Sequence, residues 1–581
     1  MRVPRRSRRP NRIGVQIARL VLRERRLFYR GRPVRDNVVF WESFNGNGVL
    51  CNPEALFREV RREPMLAGLR HVWSLSSGDE TENRDIRAEF AGDRRVRFVA
   101  PGSAAYDRAL ATSRYLVSNA TFGRQFSKRP EQFYVNTWHG TPLKHMGYDI
   151  GDPAFRVANV VRNFVHADVL LSPNDFTTRT LYERAHRLDG ILPGRVLETG
   201  YPRIDEQFQD ARGTALIRSR LEAAGLRLGR RRIVLWAPTW KGTSFVHPAD
   251  DAAALFAQRD ALQALLDPAE FVVLLKAHQV VHRHTAGEPA ARGVLVPNDI
   301  PTNEVLAATS ILVTDYSSIF VDFLSLDRPI VFYTPDIADY TDYRGLYLDP
   351  TDLPGAVVST VGDVAAEVIR VAHGDAHPDD STPIEARRKA LRRRWAPHDD
   401  GGASRRVVDA VFTRPTDASP ALARRPHVVL ALPASTAAGR REEALALLHG
   451  LDLDALDVSV LLSDSRNPAY LAVQARLDPR IRQLVRQGTM DARIATRLRQ
   501  RLERRRGNVE AHATVPSLAR MWDDEWRRIL ATVRVDVAVN ASGGDSFWST
   551  LVLHSGAVTT VEWAPAEAVS ALRQKLGLTS T

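Results

Sequence analysis

From Asn37 onward, short apolar runs alternate with amphipathic stretches at helical spacing, which is the rhythm of βαβ units and parallel sheets. In a first block the pattern predicts strands at Val38–Trp41, His71–Ser74, Val96–Ala100, Tyr115–Ser118 and Val169–Ser172, with helices such as Pro53–Arg62 and Ala104–Ser113 between them. A second block repeats it at Ile233–Trp236, Phe271–Leu275, Gly293–Val296, Ile311–Thr314 and Ile330–Tyr333. Two such blocks in tandem predict an α/β fold of two Rossmann-like lobes facing each other across a cleft. The run Trp395 to Gly402, rich in Pro, Asp and Gly, closes that unit. A third α/β segment then follows, with strands at His427–Leu432, Val458–Ser463 and Val535–Asn540 and an arginine-rich helix over Ile494–Arg506. The expected division is a basic segment over 1–36, a first lobe over 37–205, a second over 206–412, a linker over 413–425 and a C-terminal accessory domain over 426–581.

Polar motifs stand at the exits of several predicted strands. Past the apolar-aromatic run Phe133 to Val135 comes Asn136-Thr137-Trp138-His139-Gly140-Thr141-Pro142-Leu143-Lys144. A histidine at a strand-to-loop exit is where open α/β sheets keep their chemistry, so His139 is the first candidate for an active-site residue. In the second block, Trp236 runs into Ala237-Pro238-Thr239, Leu275 into Lys276-Ala277-His278, and Thr314 into Asp315-Tyr316-Ser317-Ser318. All three converge on the carboxyl edge of one sheet, where ligands bind in this architecture.

Each motif has a use there and a plainer alternative. Ser317 and Ser318 at a helix start offer hydroxyls and free N–H groups to a phosphate, or form an ordinary N-cap. Lys276 and His278, two apart in extended chain, point the same way and can supply paired cationic donors to a phosphoryl group, or serve as a surface lysine and a capping histidine. Pro238 and Thr239 give a rigid turn with one hydroxyl. Arg203, in Gly200-Tyr201-Pro202-Arg203-Ile204-Asp205, can reach an anion between the lobes or pair with Asp205. Asp322, about one turn beyond Ser318, can accept from a polyol hydroxyl or lie on a helix surface. No cluster has metal-ligand spacing, and neither a Walker loop nor a Gly-x-Gly-x-x-Gly fingerprint occurs.

Composition adds three constraints. With 81 basic against 68 acidic side chains, the net charge of +13 implies an anionic partner: a phosphorylated substrate, an acidic membrane surface or nucleic acid. The arginine clusters lack interleaved aromatic platforms apart from Phe28 and Tyr29, which disfavours nucleic acid. The single cysteine, Cys51, excludes an internal disulfide framework and fits a reducing compartment. No apolar run approaches the roughly 18 residues needed to span a bilayer, and Arg19 and Arg23 interrupt any secretory-signal core. Residues 1 to 35 have Glu24 as their only acid before Arg35, while Ile13, Ile17, Leu20 and Val21 recur at helical spacing. Such a helix either lies peripherally on an anionic leaflet, here the cytoplasmic face of the cell membrane, or forms a basic arm on the protein surface.

Taken in order, Trp138-His139-Gly140-Thr141-Pro142-Leu143-Lys144, Gly200-Tyr201-Pro202-Arg203-Ile204-Asp205, Trp236-Ala237-Pro238-Thr239, Lys276-Ala277-His278 and Thr314-Asp315-Tyr316-Ser317-Ser318 resemble the motifs of the CDP-glycerol glycerophosphotransferases of teichoic acid synthesis. The opening Val39 to Phe44, with Asn52-Pro53 after it, is similar too, so the resemblance runs from about Asn37 to Val411. It implies a GT-B-type fold and transfer of glycerol phosphate, or a related alditol phosphate, from a CDP-alditol to a hydroxyl of a lipid-linked polymer, with release of CMP and no cofactor. It implies His139 as the general base on the acceptor, and His278 with Lys276 as stabilisers of the donor pyrophosphate. Arg203, Pro238, Thr239, Ser317, Ser318 and Asp322 match positions expected to hold the CDP-alditol, and Gly140, Thr141, Pro142 and Lys144 belong to the same binding set. A GT-B glycosyltransferase using a sugar nucleotide is the enzymatic alternative, and an anionic-lipid or nucleic-acid binding protein the non-enzymatic one. The segment from about Arg425 lies outside the motifs and resembles one lobe of a GT-B glycosyltransferase around Ser542-Gly543-Gly544-Asp545-Ser546-Phe547-Trp548.

Overall fold

A computed structural model describes residues 12–76, 83–239, 249–277, 289–298, 300–335, 345–374, 381–414, 425–506 and 510–563. His278 lies outside them, as do residues 1–11 of the basic segment. Three sheets, parallel throughout, organise the chain. The first contains β1 (Arg35–Glu42), β2 (Arg70–Ser74), β3 (Val96–Val99), β4 (Ser113–Ser118), β5 (Phe133–Asn136), β6 (Val169–Ser172) and β7 (Arg195–Glu198), in the order β3-β2-β1-β4-β5-β6-β7. The second contains β8 (Arg232–Ala237), β9 (Phe271–Leu275), β10 (Ile311–Thr314), β11 (Ile330–Tyr333) and β12 (Ala356–Val358), in the order β12-β11-β10-β8-β9. The third contains β13 (His427–Leu432), β14 (Asp457–Ser463), β15 (Arg482–Arg486), β16 (Val537–Asn540) and β17 (Thr559–Glu562), in the order β15-β14-β13-β16-β17.

The central strands are apolar along their whole length because helices cover both faces of a parallel sheet. Every residue of β9 and β10 is buried, and in β8 only Arg232 is exposed. The predicted strand Gly293–Val296 does not form; a 3-10 turn at Pro289–Ala291 leads to Gly293 at φ +76, and Leu295 makes only an isolated bridge to Leu275. The left-handed glycine interrupts the extended path that the apolar pattern invited.

Among the helices that cover these sheets, those bearing on the site and the junctions are α1 (Arg12–Arg30), α2 (Cys51–Arg62), α3 (Ala104–Thr112), α4 (Ala154–His166), α5 (Ile319–Phe323), α6 (Ile494–Arg505) and α7 (Pro516–Leu530). Helix α1 is tied to the first lobe by Arg25 pairing with Asp107 of α3 at 2.6 Å and by Arg30 donating to the Ser127 carbonyl at 2.5 Å. Residues Ala403–Thr413 return to the first lobe, where Val407, Val408 and Val411 pack in one core with Trp41 and Phe57. This corrects their assignment to the second lobe, because their apolar face is buried against α2 and β1. The third domain is not a detached module either. Val161 and Phe164 of α4 share a continuous core with Trp522, Trp526 and Ile529 of α7, and Arg528 donates across the junction to the Arg124 carbonyl.

Candidate active site

A cavity of about 400 Å³ opens between the carboxyl edges of the first two sheets. Its first-lobe wall is built by unusual backbone. Asn136, the last residue of β5, accepts from the Trp138 N–H two residues on (3.0 Å) and donates to the Ala120 carbonyl (2.8 Å). That Asx-type bond turns the chain sharply and places Trp138 at φ +47, a conformation that costs a bulky residue about 1–3 kcal/mol. Two features offset the strain. Asn52 of α2 donates to the carbonyls of Thr137 (3.3 Å) and Trp138 (3.1 Å), and the indole is buried against Phe164 and His186. The turn delivers His139 to the cavity wall, stacked on Trp138 and edge-on to Phe44.

The protonation state of His139 follows from its neighbours. Its Nδ1 lies 2.6 Å from the Asn119 carbonyl oxygen, which can only accept, so Nδ1 carries the proton. Nε2 is thereby the free base. Burial, with the nearby Arg203 charge in support and the Asn119 bond opposing, pushes the imidazole pKa down to about 4. At neutral pH the ring is therefore uncharged and able to take a proton.

Arg203 joins the two walls. It starts within the 3-10 turn Pro202–Gln207, where its N–H donates to Asn52 Oδ1 at 3.1 Å. One guanidinium nitrogen donates to the His139 carbonyl at 2.6 Å, and the other pairs with Asp322 of α5 at 2.8 Å. Burial works against this charge, but the Asp322 carboxylate and the Cys51 sulfur outweigh it and hold the guanidinium charged. The alternative pairing with Asp205 does not occur. Asp205 instead accepts from the Ala403 and Ser404 N–H groups at 3.0 and 2.7 Å. Asp322 is likewise not a surface carboxylate: it is buried, it lines the cavity, and one of its oxygens is spent on Arg203.

The second-lobe wall gathers the strand-exit motifs. Pro238 and Thr239 follow β8, Lys276 follows β9, and Ser317 and Ser318 follow β10; all five line the cavity. Asp315 holds Thr239 from below, accepting from both its N–H and its hydroxyl at 2.7 Å. Lys276 Nζ donates to the Pro297 carbonyl at 2.9 Å, which fixes the ammonium at the wall. Ser318 stands at the N-cap position of α5 but makes no side-chain cap bond, so its hydroxyl is not committed to the helix.

Four predicted binding residues stand behind the wall or beside it. A side chain at Gly140 would meet Ser318 Oγ at 3.6 Å, which marks it as the point where the lobes approach. Thr141 and Pro142 are buried, with the Thr141 hydroxyl 3.5 Å from that of Thr177. Lys144 forms an antiparallel bridge with Leu346, beside the bond from the Tyr347 N–H to the Leu143 carbonyl. These residues set the spacing of the lobes rather than face the cavity, because the chain past Gly140 turns into the interlobe contact.

Sequence reasoning missed Phe44, Cys51, Glu206, Asn298 and Asn303 on the lining. Phe44 and Cys51 carry a signal only in hindsight of the backbone, at φ +46 and +65. Glu206 has its pKa raised well above the ordinary carboxylate range by burial and by the neighbouring Glu54 and Glu304 charges.

Known proteins resemble this chain over its first two lobes. It is 29% identical over 394 residues to the teichoic acid poly(glycerol phosphate) polymerase of Bacillus subtilis (strain 168), covering 65% of this chain and 49% of that protein. To the teichoic acid glycerol-phosphate transferase of Staphylococcus aureus (strain NCTC 8325 / PS 47) it is 27% identical over 390 residues, 65% of this chain and 93% of that one. The chain thus spans about half the length of the first relative and nearly all of the second. A solved form of the wall teichoic acid polymerase TagF aligns at TM-score 0.56 and 25% identity over 68% of this chain and 94% of its own, which supports a GT-B-like fold for this chain. The family described as CDP-Glycerol:Poly(glycerophosphate) glycerophosphotransferase matches residues 25–413. With that match across more than half of its length, this chain belongs to the CDP-glycerol:poly(glycerophosphate) glycerophosphotransferase family.

Proposed function

We propose that this chain transfers glycerol phosphate, or a related alditol phosphate, from a CDP-alditol to a hydroxyl of a lipid-linked teichoic-acid-type polymer. The acceptor oxygen forms a bond to the alditol-bearing phosphorus as the bond to CMP breaks, and the hydroxyl proton passes to His139 Nε2. The observation that carries the reading is the half-buried His139, whose Nδ1 is committed to Asn119, facing a wall of Lys276, Ser317 and Ser318 across an interlobe cavity. Phosphoryl transfer asks mainly for positioning and charge stabilisation, which a fixed ammonium and the serine hydroxyls at the start of α5 supply. Lys276 and His278 take the donor pyrophosphate; Arg203, Pro238, Thr239 and Asp322 hold the remainder of the CDP-alditol. The names of the relatives, a glycerol phosphate polymerase and a glycerol-phosphate transferase, support the same substrate. In this reading the basic helix α1 would hold the enzyme peripherally on the cytoplasmic face of the membrane, where a lipid-linked acceptor is met.

The test is CMP release from CDP-glycerol and from CDP-ribitol in the presence of a lipid-linked acceptor, with the product sized. CMP is expected from the wild type, and His139→Ala should lower its rate by about 10³-fold with an unchanged circular dichroism spectrum. Release of UDP or GDP from a sugar nucleotide, with no CMP from either CDP-alditol, would overturn the reading.

A further inference from the structure

The third domain carries a surface that the transfer chemistry does not use. Helix α6 contains five arginines and a single acid, Glu503, which is buried. Along it Ile494, Leu498 and Leu502, at i, i+4 and i+8, stand 46%, 57% and 46% exposed on one face. Helix α1, far away in sequence, has six arginines, one acid, and an exposed stripe of Ile17, Val21 and Phe28. The two helices meet. Glu24 of α1 accepts from the Ile494 N–H, the first of α6, at 2.9 Å, and Arg26 approaches Asp491 at 3.9 Å. The only acid of each helix is thereby drawn into a contact or buried; in α1, Arg25 and Arg26 are engaged by Asp107 and Asp491, whereas the five arginines of α6 keep the surface beside its apolar stripe strongly basic.

We propose that α1 and α6 form one composite footing for an anionic lipid bilayer, so that the third domain is a membrane-docking module of the first lobe. The occupant is argued from charge complementarity: a row of large exposed apolar side chains flanked by arginines fits the headgroup region of an anionic leaflet. A second copy of the chain would bring like charges together at the same surface. The proposal extends the anchoring by α1, which belongs to the transfer reading, to a helix outside the family match. It accounts for the rigid attachment of this domain: a footing transmits position only if its core is continuous with that of the acceptor lobe, as it is through Phe164 and Trp522.

The experiment is sedimentation of the full-length protein with vesicles of phosphatidylcholine alone or with phosphatidylglycerol at about a third of the lipid. The wild type should partition onto the anionic vesicles and be released by salt. L498E/L502E should bind them at least tenfold more weakly, while R497Q/R501Q should lose the preference for anionic lipid. To guard against misfolding, C51S/L498C labelled with an environment-sensitive fluorophore should shift to the blue on anionic vesicles. Unchanged partitioning of L498E/L502E, absence of the fluorescence shift, or a vesicle-independent dimer abolished by the same substitutions would each overturn the proposal. CMP release on a soluble acceptor is read in parallel. Its absence with membrane binding intact counts against the transfer reading alone.

Discussion

In both the first lobe and the third domain, five strands run in the order third, second, first, fourth, fifth, so both open the same gap between first and fourth strands at the carboxyl edge. In the first lobe that edge is strained and outward-looking. Phe44 and Asn45 after β1, and Trp138 after β5, sit at positive φ, and Asn119 after β4 orients His139. In the third domain the same edge bonds to itself: Ser435 after β13 donates to Asp545 at 2.9 Å, and Asp545 caps its own helix through the Phe547 N–H at 3.0 Å. The first-lobe edge is completed by Asp322, Ser317 and Ser318 of the second lobe, whereas the second-lobe sheet is already engaged there and is not available to the third. One topology thus serves as half an active site and as an attachment, and the difference lies in a few side chains and a facing lobe.

The largest effect should come from cutting the bridge that only the first-lobe edge possesses. Arg203→Met leaves Asp322 buried without its guanidinium, which typically costs about 3–5 kcal/mol. Chemical denaturation should show that loss, and CMP release should fall by about 10³-fold. Adding Asp322→Leu should restore stability and leave turnover low; recovery of turnover would show that the pair is only structural. The next effect tests the attachment. Trp522 is almost fully buried in the core shared with Phe164, so Trp522→Ala should destabilise by about 3–5 kcal/mol. Calorimetry should show the first lobe and the third domain melting together, at a lower temperature, with turnover below the transition barely changed. Two separate transitions would break the claim of a single core.

A smaller effect tests the strained turn. Asn52→Ala removes both bonds to the Trp138 turn and the acceptor for the Arg203 N–H. Turnover should fall by about 10–100-fold with a smaller change in donor KM, because the base is misplaced while, of the groups that hold the donor, only Arg203 loses a bond. The pH profile examines the same base. With His139 held down to about 4 against an ordinary 6.5, the acid limb of kcat/KM should lie well below 6.5. The sign for stability agrees. Between those values the unfolded chain binds the proton and the folded chain does not, so this group's contribution is present above 6.5 and is lost as pH falls towards 4. An acid limb at 6.5 would mean that His139 is solvated.

How much of this was legible in the sequence differs between strand and site. Long apolar strands such as Ile233–Trp236 and Phe271–Leu275 declared themselves because both faces are buried. The edge strand Arg482–Arg486 did not: it is polar in composition, and its buried Arg482 is satisfied by the Arg187 carbonyl and Asp457. In the site, His139, Lys276, Ser317 and Ser318 follow strand ends and could be found by position. Arg203's partner could not, since Asp322 is brought to it only by the packing of two lobes, whereas Asp205 was near in sequence. Asn52 was silent because its partners, the Thr137 and Trp138 carbonyls and the Arg203 N–H, are far from it in sequence, and Glu206 because the acids that crowd it come from both lobes.

The smallest expected effect is at the third-domain edge, and it is the most direct test of the comparison. Asp545 occupies the loop after β16, the counterpart of the loop after β4 that holds Asn119, and carries the only helix-capping carboxylate of that loop. If the edge is an attachment and nothing more, Asp545→Ala costs about 1 kcal/mol of stability through the lost cap and leaves CMP release within about twofold. The Ser435 hydroxyl loses an acceptor at the same time, but it is exposed and water replaces it. A loss of turnover beyond tenfold with stability intact would mean that this edge takes part in handling the polymer, and that the two copies of one strand order have kept more in common than their side chains indicate.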